Sequence, residues 1–447
     1  MKLHGTMRIN ESGHLTIGNC DTVDLVREYS TPLYVLDEKY FRSNCREYYR
    51  AFSDRFNSDV IYASKTLLNT AVCRMIEEEG LCLDIVSGGE LYTALKAGFP
   101  ASRMYFHGNN KTTDELKLAL EAGVGRYIVD NLYELELLNN MAGKANITAD
   151  ILLRITPGVE AHTHEYIKTG QIDSKFGLAI ETGQAMEGTK KALNLANVRL
   201  HGFHCHIGSQ IFELESFAHA ANIMMSFINN VRTETAFTAA ELDLGGGLGI
   251  YYFEGDEPKP VKELADIIIN EVRKQADEYC LPVPKIMVEP GRSISGPAGI
   301  TLYTVGSVKD IPGIRKYVAV DGGMNDNPRP ALYQSRYEAA LANKMNEKET
   351  ELVSIAGKCC ESGDMLIKDT KLPPAEPGDV LVVTSTGAYN YAMSMNYNRI
   401  TRPAMILVNE GAAEVIVQRE TFEDLIRNDL IPKHLQKKEA VNIAKAE

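Results

Sequence analysis

Short runs of Val, Ile, Leu and aromatic residues recur along the first two thirds of the chain. Each is followed by a stretch whose apolar positions repeat at three- and four-residue spacing. The runs are DVIYAS (59–64), LCLDIV (81–86), RMYFH (103–107), RYIVD (126–130), DILLRI (150–155), RLHGFHCHI (199–207), ELDLGGG (241–247) and KIMVEPG (285–291). Runs this uniformly apolar mark strands buried on both faces. The intervening segments, among them TAVCRMIEEEG, ELYTALKAG, TDELKLALEAG and LYELELLNNM, read as amphipathic helices, several closing at Gly. Eight strand–helix units predict an α/β fold, a parallel (β/α)8 barrel of the TIM type.

After about residue 300 the rhythm changes. TLYTVGSVKDI, KYVAVDGG, DVLVVTST, AMILVN and AEVIVQR read as strands with few helices between them, and TMRIN with HLTIG near the start reads as a hairpin. The expected organisation is a barrel over residues 30–300 and a C-terminal β-sandwich or barrel over 301–447 that also takes in residues 1–29. A polar loop, LANKMNEKET at 341–350, is expected at the surface.

A length of 447 residues suits a barrel with a companion domain, and 44% hydrophobic with 24% charged residues is ordinary globular composition. A net charge of -13 argues against a broad surface for nucleic acid, though it leaves local basic sites open. The eight cysteines form no CxxC pair and no zinc-type spacing, so no metal is expected. Sparse cysteines, an N-terminal stretch without a signal-peptide core and no run long enough for a bilayer predict a cytoplasmic protein with no membrane partner.

Barrel enzymes gather their chemistry at the C-terminal ends of the strands. Those ends carry Lys65, Asp84 with Ser87, His107, Asp130, Arg154, His206, Gly245 to Gly247, and Glu289 with Arg292. Lys65 in YASK is a candidate amine nucleophile, since a lysine at an apolar barrel mouth can have a lowered pKa. Taken alone it reads more readily as a solvated surface lysine. Gly245, Gly246 and Gly247 follow the seventh strand, where barrels commonly bind phosphate and where glycines admit a close approach of backbone amides. The alternative is a tight barrel turn. Glu289 ends the eighth strand and can accept a hydrogen bond from a protonated ring nitrogen, or simply pair with Arg292. His206 can stack on a ring, and strand periodicity points His204 the same way. A lysine nucleophile, a phosphate loop and an acidic partner for a ring nitrogen together indicate pyridoxal 5'-phosphate (PLP).

With YASK, GLCLDIVSGGELYTALKAG, YFHGNNK, GFHCHIGSQI, DLGGGLGI, EPGRSI, DGGMNDNPRPALY, CCESGD and TGAY in this order, the chain resembles the fold-type III PLP-dependent decarboxylases, and within them the diaminopimelate decarboxylases. The resemblance spans nearly the whole chain. It implies that Lys65 carries PLP, Asp84 lies near that linkage and His206 stacks on the ring. It further implies that Ser209, Gly245 to Gly247 and Tyr389 bind the phosphate with backbone near Gly291 and Arg292, and that Glu289 pairs with the pyridine nitrogen. Arg292, Arg329, Tyr333, Glu361 and Tyr389 are the implied substrate ligands, and Cys360 the implied acid near the reacting carbon. Cys360 and Glu361 are implied to come from a neighbouring subunit, which makes the enzyme a homodimer with shared sites. Two departures are visible: Thr66 and Leu67 follow the lysine where the family usually has Ala-Asn, and Lys358 and Cys359 precede CESGD where Arg is common nearby.

The implied reaction is decarboxylation of meso-2,6-diaminopimelate to L-lysine and CO2, the last step of lysine biosynthesis. Arginine forks suit the carboxylate of a second amino-acid head. Decarboxylases of D-ornithine, D-lysine or carboxynorspermidine share most of these motifs without needing that clamp. A non-catalytic PLP carrier resembles the barrel alone, and the C-terminal CCESGD and TGAY argue against it.

Overall fold

The computed structural model describes residues 1–158 and 174–436. Eight parallel strands close into a barrel: β1 (Ser58–Ala63), β2 (Cys82–Ile85), β3 (Met104–Phe106), β4 (Arg126–Val129), β5 (Ala149–Thr156), β6 (Val198–His204), β7 (Glu241–Asp243) and β8 (Lys285–Val288). Closure comes from Val288 opposite Val60 on one side and Tyr127 opposite Ile151 on the other. Each predicted run overlaps one of these strands. The periodic segments between them form the outer helices, and capped loops follow β1 to β4. Asn69, Ser87, Thr112 and Asn131 accept the first-turn amides of helices Thr70–Glu78, Gly88–Lys96, Thr113–Ala122 and Leu132–Lys144. Ser87, one of the strand-end candidates, is thus a helix cap.

Inside the barrel an apolar layer of Ile61, Tyr105, Ile128, Leu152 and Met287 fills the floor. Side chains at the strand ends stand above it, so polar groups placed there are buried yet face an opening.

The second domain is organised around a 13-residue strand, Gly299–Ile311. Its first half pairs with Leu33–Asp37 and Val380–Val383, and its second half, past an irregularity between Val305 and Val308, pairs with Arg315–Val320. The irregularity marks where this one strand passes from one set of partners to another. Leu33–Asp37 lies inside the range expected for the barrel, yet it is hydrogen-bonded into this second sheet, parallel to Ala404–Asn409. Its Leu33 and Val35 are buried in a core with Leu15, Ile17, Ile300, Ile406 and Val408. The N-terminal hairpin forms as expected, Arg8–Ile9 against Leu15–Ile17, extended by Cys20–Asp21 into a small sheet of its own. The loop at 341–350 is exposed only in its later part, because Ala339–Leu341 pairs with Val380–Val383 and keeps Leu341 and Ala342 buried.

Candidate active site

A cavity of about 400 Å³ opens where the barrel mouth meets the second domain. Lys65, His206, Ser209, Tyr252, Arg292, Arg329, Tyr333 and Tyr389 are among its walls. A smaller recess continues from it between Lys65, Gly247, Glu289 and Gly291.

Lys65 follows β1 in a short 3-10 turn and opens its side chain on the cavity. Burial pulls its ammonium down, but the acidic groups near it, Tyr389, Asp84 and Glu289, outweigh this and hold it above the ordinary lysine value. The lowered value expected from an apolar mouth is therefore corrected, because the groups around this lysine are largely polar and acidic.

Three carboxyls from three strand ends converge beneath it. Asp84, Asp243 and Glu289 are each almost wholly buried. Burial, with Glu289 close by, pushes Asp84 up and Asp243 far up. Glu289 goes the other way: burial opposes its charge, but His107 and His204 draw it well below the usual carboxylate range. Like charges in one dry pocket do not all ionise, and here the charge settles on Glu289. Its Oε1 lies 2.8 Å from His107 Nε2 and its Oε2 3.4 Å from His204 Nε2. His204 is held neutral, its pKa lowered to about 4 chiefly by burial. His204 therefore serves the carboxylate, whereas His206 lines the cavity. His206 Nδ1 accepts from the Gly246 amide at 3.3 Å, and burial, with Lys65 and Arg154, keeps the ring neutral.

The glycine turn is dictated by backbone crowding. A Cβ on Gly246 would meet the Glu289 carbonyl oxygen at 2.0 Å, and one on Gly247, at φ +125°, would meet the Gly208 carbonyl oxygen at 2.4 Å. A Cβ on Gly291 would run into Thr66 and Ala63. These positions leave a recess walled by main chain next to Ser209 and Tyr389, the shape a phosphate needs. A lysine opens on the same cavity, and the buried Glu289 Oε1, though close to His107, makes no aligned hydrogen bond. The site thus fits PLP as expected from the sequence.

Beside that recess Arg292 donates from Nε and Nη2 to Ser209 Oγ (3.1 and 2.9 Å) and from Nη1 to Tyr252 Oη (2.7 Å). Arg329 donates from Nη1 to Tyr252 Oη and Tyr337 Oη, both at 2.8 Å. Both arginines are 7% exposed, and among the described residues their polar partners are hydroxyls, with no carboxylate. Tyr333 stands beside them on the short helix Arg329–Tyr333.

Cys360 and Glu361 are not brought to this cavity by their own chain. Both are exposed; the Cys360 amide is tied to Asn398 Oδ1 at 2.7 Å, and Glu361 Oε1 accepts from the Gly363 amide. Of the other strand-end candidates, Asp130 lies 3.9 Å from Arg154. Sequence reading misses Tyr252, Tyr337 and Asp243. Position is the available signal for Asp243, the last residue of β7, and for Tyr252, which lies in the loop after the glycine turn.

The profile of the family described as "Pyridoxal-dependent decarboxylase, pyridoxal binding domain" matches residues 39–296. The diaminopimelate decarboxylase of Bacillus subtilis (strain 168) is 52% identical over 431 residues, covering 96% of this chain and 98% of the relative. That of Synechocystis sp. is 46% identical, covering 96% and 93%. The crystal structure of diaminopimelate decarboxylase from M. jannaschii in complex with L-lysine superposes with a TM-score of 0.90 at 38% identity, covering 96% of this chain and 99% of that one. The chain belongs to the pyridoxal-dependent decarboxylases and, among them, to the diaminopimelate decarboxylases.

Proposed function

We propose that the protein decarboxylates meso-2,6-diaminopimelate to L-lysine and CO2 with PLP. The observation that carries this reading is the pair of buried guanidiniums, Arg292 and Arg329, that have no carboxylate partner among the described residues and stand on the cavity that holds Lys65. Unpaired buried cations are costly, so such a pair points to an anionic group supplied from outside.

PLP, when bound, supplies an electron sink for the bonding pair left as CO2 departs. Lys65 carries it through Nζ. Gly245 to Gly247, Ser209, Tyr389 and the backbone at Gly291 and Arg292 hold its phosphate. His206, neutral, would stack on the ring, and Asp84 would lie near the lysine linkage. Glu289, held ionised by His107 and His204, keeps the ring nitrogen protonated. Arg292, Arg329, Tyr333 and Tyr389 would grip the far end of the substrate and so fix the orientation of the bond to be broken.

The enzyme works as a homodimer, in which the partner's Glu361 would receive the distal ammonium and either the partner's Cys360 or Lys65 would return the proton to the reacting carbon. The exposure of Cys360 and Glu361, away from the cavity of their own chain, supports this reading. We place the enzyme in the cytoplasm, which agrees with eight free cysteines; no helix among the described residues is long and apolar enough to cross a membrane.

The test is CO2 release and lysine formation by purified protein with PLP, given meso-diaminopimelate, D-ornithine and D-lysine side by side. Lysine from the first substrate alone is expected. Preferred turnover of D-ornithine or D-lysine would refute the clamp.

A further inference from the structure

Two like-charged guanidiniums share one small region of the cavity wall, and what stands between them is a single phenol. Tyr252 is 5% exposed, and its Oη is the common acceptor of Arg292 Nη1 at 2.7 Å and Arg329 Nη1 at 2.8 Å. Its ring also lies beneath both cations, with guanidinium carbons 5.8 Å (Arg292) and 5.1 Å (Arg329) from its centroid. The Tyr389 ring lies 4.7 and 5.8 Å from the same two carbons, so two tyrosine faces enclose the arginine pair. Each face offers negative quadrupole density to the cations.

The loop that presents Tyr252 is fixed on several sides. Gln210 bonds both the amide and the carbonyl of Ile250. Ser385 Oγ donates to the Tyr251 carbonyl at 2.8 Å, Tyr251 Oη donates to Glu338 at 2.7 Å, and the Tyr252 amide is held by Asp256. Both domains therefore brace this one side chain. Arg292 comes from the barrel and Arg329 from the second domain, and neither has a carboxylate among the described residues to set its position.

We propose that Tyr252 is the positioning residue of the distal-carboxylate receptor: its hydroxyl holds Arg292 and Arg329 in register, so that a carboxylate entering the cavity meets two guanidiniums already spaced. This deepens the reading given under the proposed function and rests on it. The lowered pKa of Tyr252, where the two arginines overcome the effect of burial, is what such a placement between cations produces.

Tyr252→Phe keeps the ring and removes the shared acceptor. The experiment uses the PLP-loaded enzyme and measures kcat and KM for meso-diaminopimelate, the inhibition constants of L-lysine and cadaverine, and retention of bound PLP. L-lysine retains the distal carboxylate, whereas cadaverine lacks it. The expected result is a rise of about tenfold or more in KM and in the L-lysine inhibition constant, the scale of one hydrogen bond to a charged group. Cadaverine inhibition and PLP retention stay within about twofold of wild type, the range of changes that leave a site intact. An equal weakening of both ligands, or none of either, overturns the proposal. If the wild-type enzyme does not turn over meso-diaminopimelate at all, the functional reading fails before the role of Tyr252 is reached. Tyr252→Leu, which removes the ring as well, is expected to weaken L-lysine further than Tyr252→Phe; equal effects would remove the ring from the account.

Discussion

Arg329→Lys tests the clamp where the structure leaves it most open. Arg329 uses only Nη1 within the chain, on Tyr252 and Tyr337; its Nε and Nη2 make no hydrogen bond among the described residues. An edge of two parallel N–H groups without partners is the shape that takes both oxygens of a carboxylate. A lysine keeps the charge but delivers it as a single point, so one of the two bonds to substrate is lost along with the tie to at least one tyrosine. A hydrogen bond to a charged group contributes roughly 1.5–3 kcal/mol net. At about 1.4 kcal/mol per tenfold in rate, kcat/KM for meso-diaminopimelate is expected to fall by about 10- to 150-fold. Part of the loss is expected in kcat, because a substrate held by one end samples more orientations of the bond that must break. The assay is steady-state CO2 release, with the absorbance of bound PLP as the control for an intact cofactor site. A kcat/KM within about twofold of wild type would refute the reasoning. So would a loss fully explained by lost PLP, since no hydrogen bond of Arg329 among the described residues runs to the glycine recess.

Two further predictions concern other parts of the molecule. Lys65→Ala is expected to abolish activity and the bound-cofactor absorbance, and Cys360→Ala to lower turnover while leaving PLP in place; unfolded together and refolded as a mixture, the two chains are expected to exceed the summed activity of the separate variants if sites are shared, and a mixture no more active than that sum would reject the shared site. His4, buried near the N-terminus, has its pKa lowered from 6.5 to about 4, chiefly by burial and then by Lys2. The unfolded chain binds that proton first, so the folded state is fully favoured above pH 6.5 and loses up to about 3 kcal/mol as pH falls toward 4. Melting of His4→Gln is expected to depend less steeply on pH across that window, and parallel curves for variant and wild type would dismiss the contribution.

The barrel is legible because its signal is local. Each parallel strand is buried on both faces and writes its own apolar run, and several βα loops end in a capping residue, so β1 to β8 can be counted along the chain. The strand Leu33–Asp37 escapes such a count because its pairing is not local: its neighbours are Gly299–Ile311 and Ala404–Asn409, hundreds of residues away, and an isolated run of LYVLD carries no mark of which sheet it joins. The same division holds in the site. Lys65, Glu289 and the glycines sit at strand ends and are found by position. The pKa of Lys65 is not, because its value depends on Tyr389, Asp84 and Glu289, three residues from different parts of the fold. His204 and His206 share a strand face by periodicity, yet β6 ends at His204, and past that point alternation no longer governs where a side chain goes.

Tyr251 and Tyr252 make the limit of pattern reading concrete. They are adjacent, chemically identical and equally plausible as core aromatics. One sends its hydroxyl to Glu338 and carries Lys2 over its ring at 4.7 Å; the other is buried under two arginines. What separates them is the set of charges brought near by the fold. The same holds for the molecule as a whole. A net charge of -13 describes the average surface and argues against a polyanion partner, but the cavity sorts charge on a finer scale. Buried Asp84, Asp243 and Glu289 lie near Lys65, and the Arg292 and Arg329 guanidiniums lie between Tyr252 and Tyr389. A ligand in the cavity meets groups of both signs. Arrangement, which the fold supplies, therefore decides recognition here, and overall composition does not.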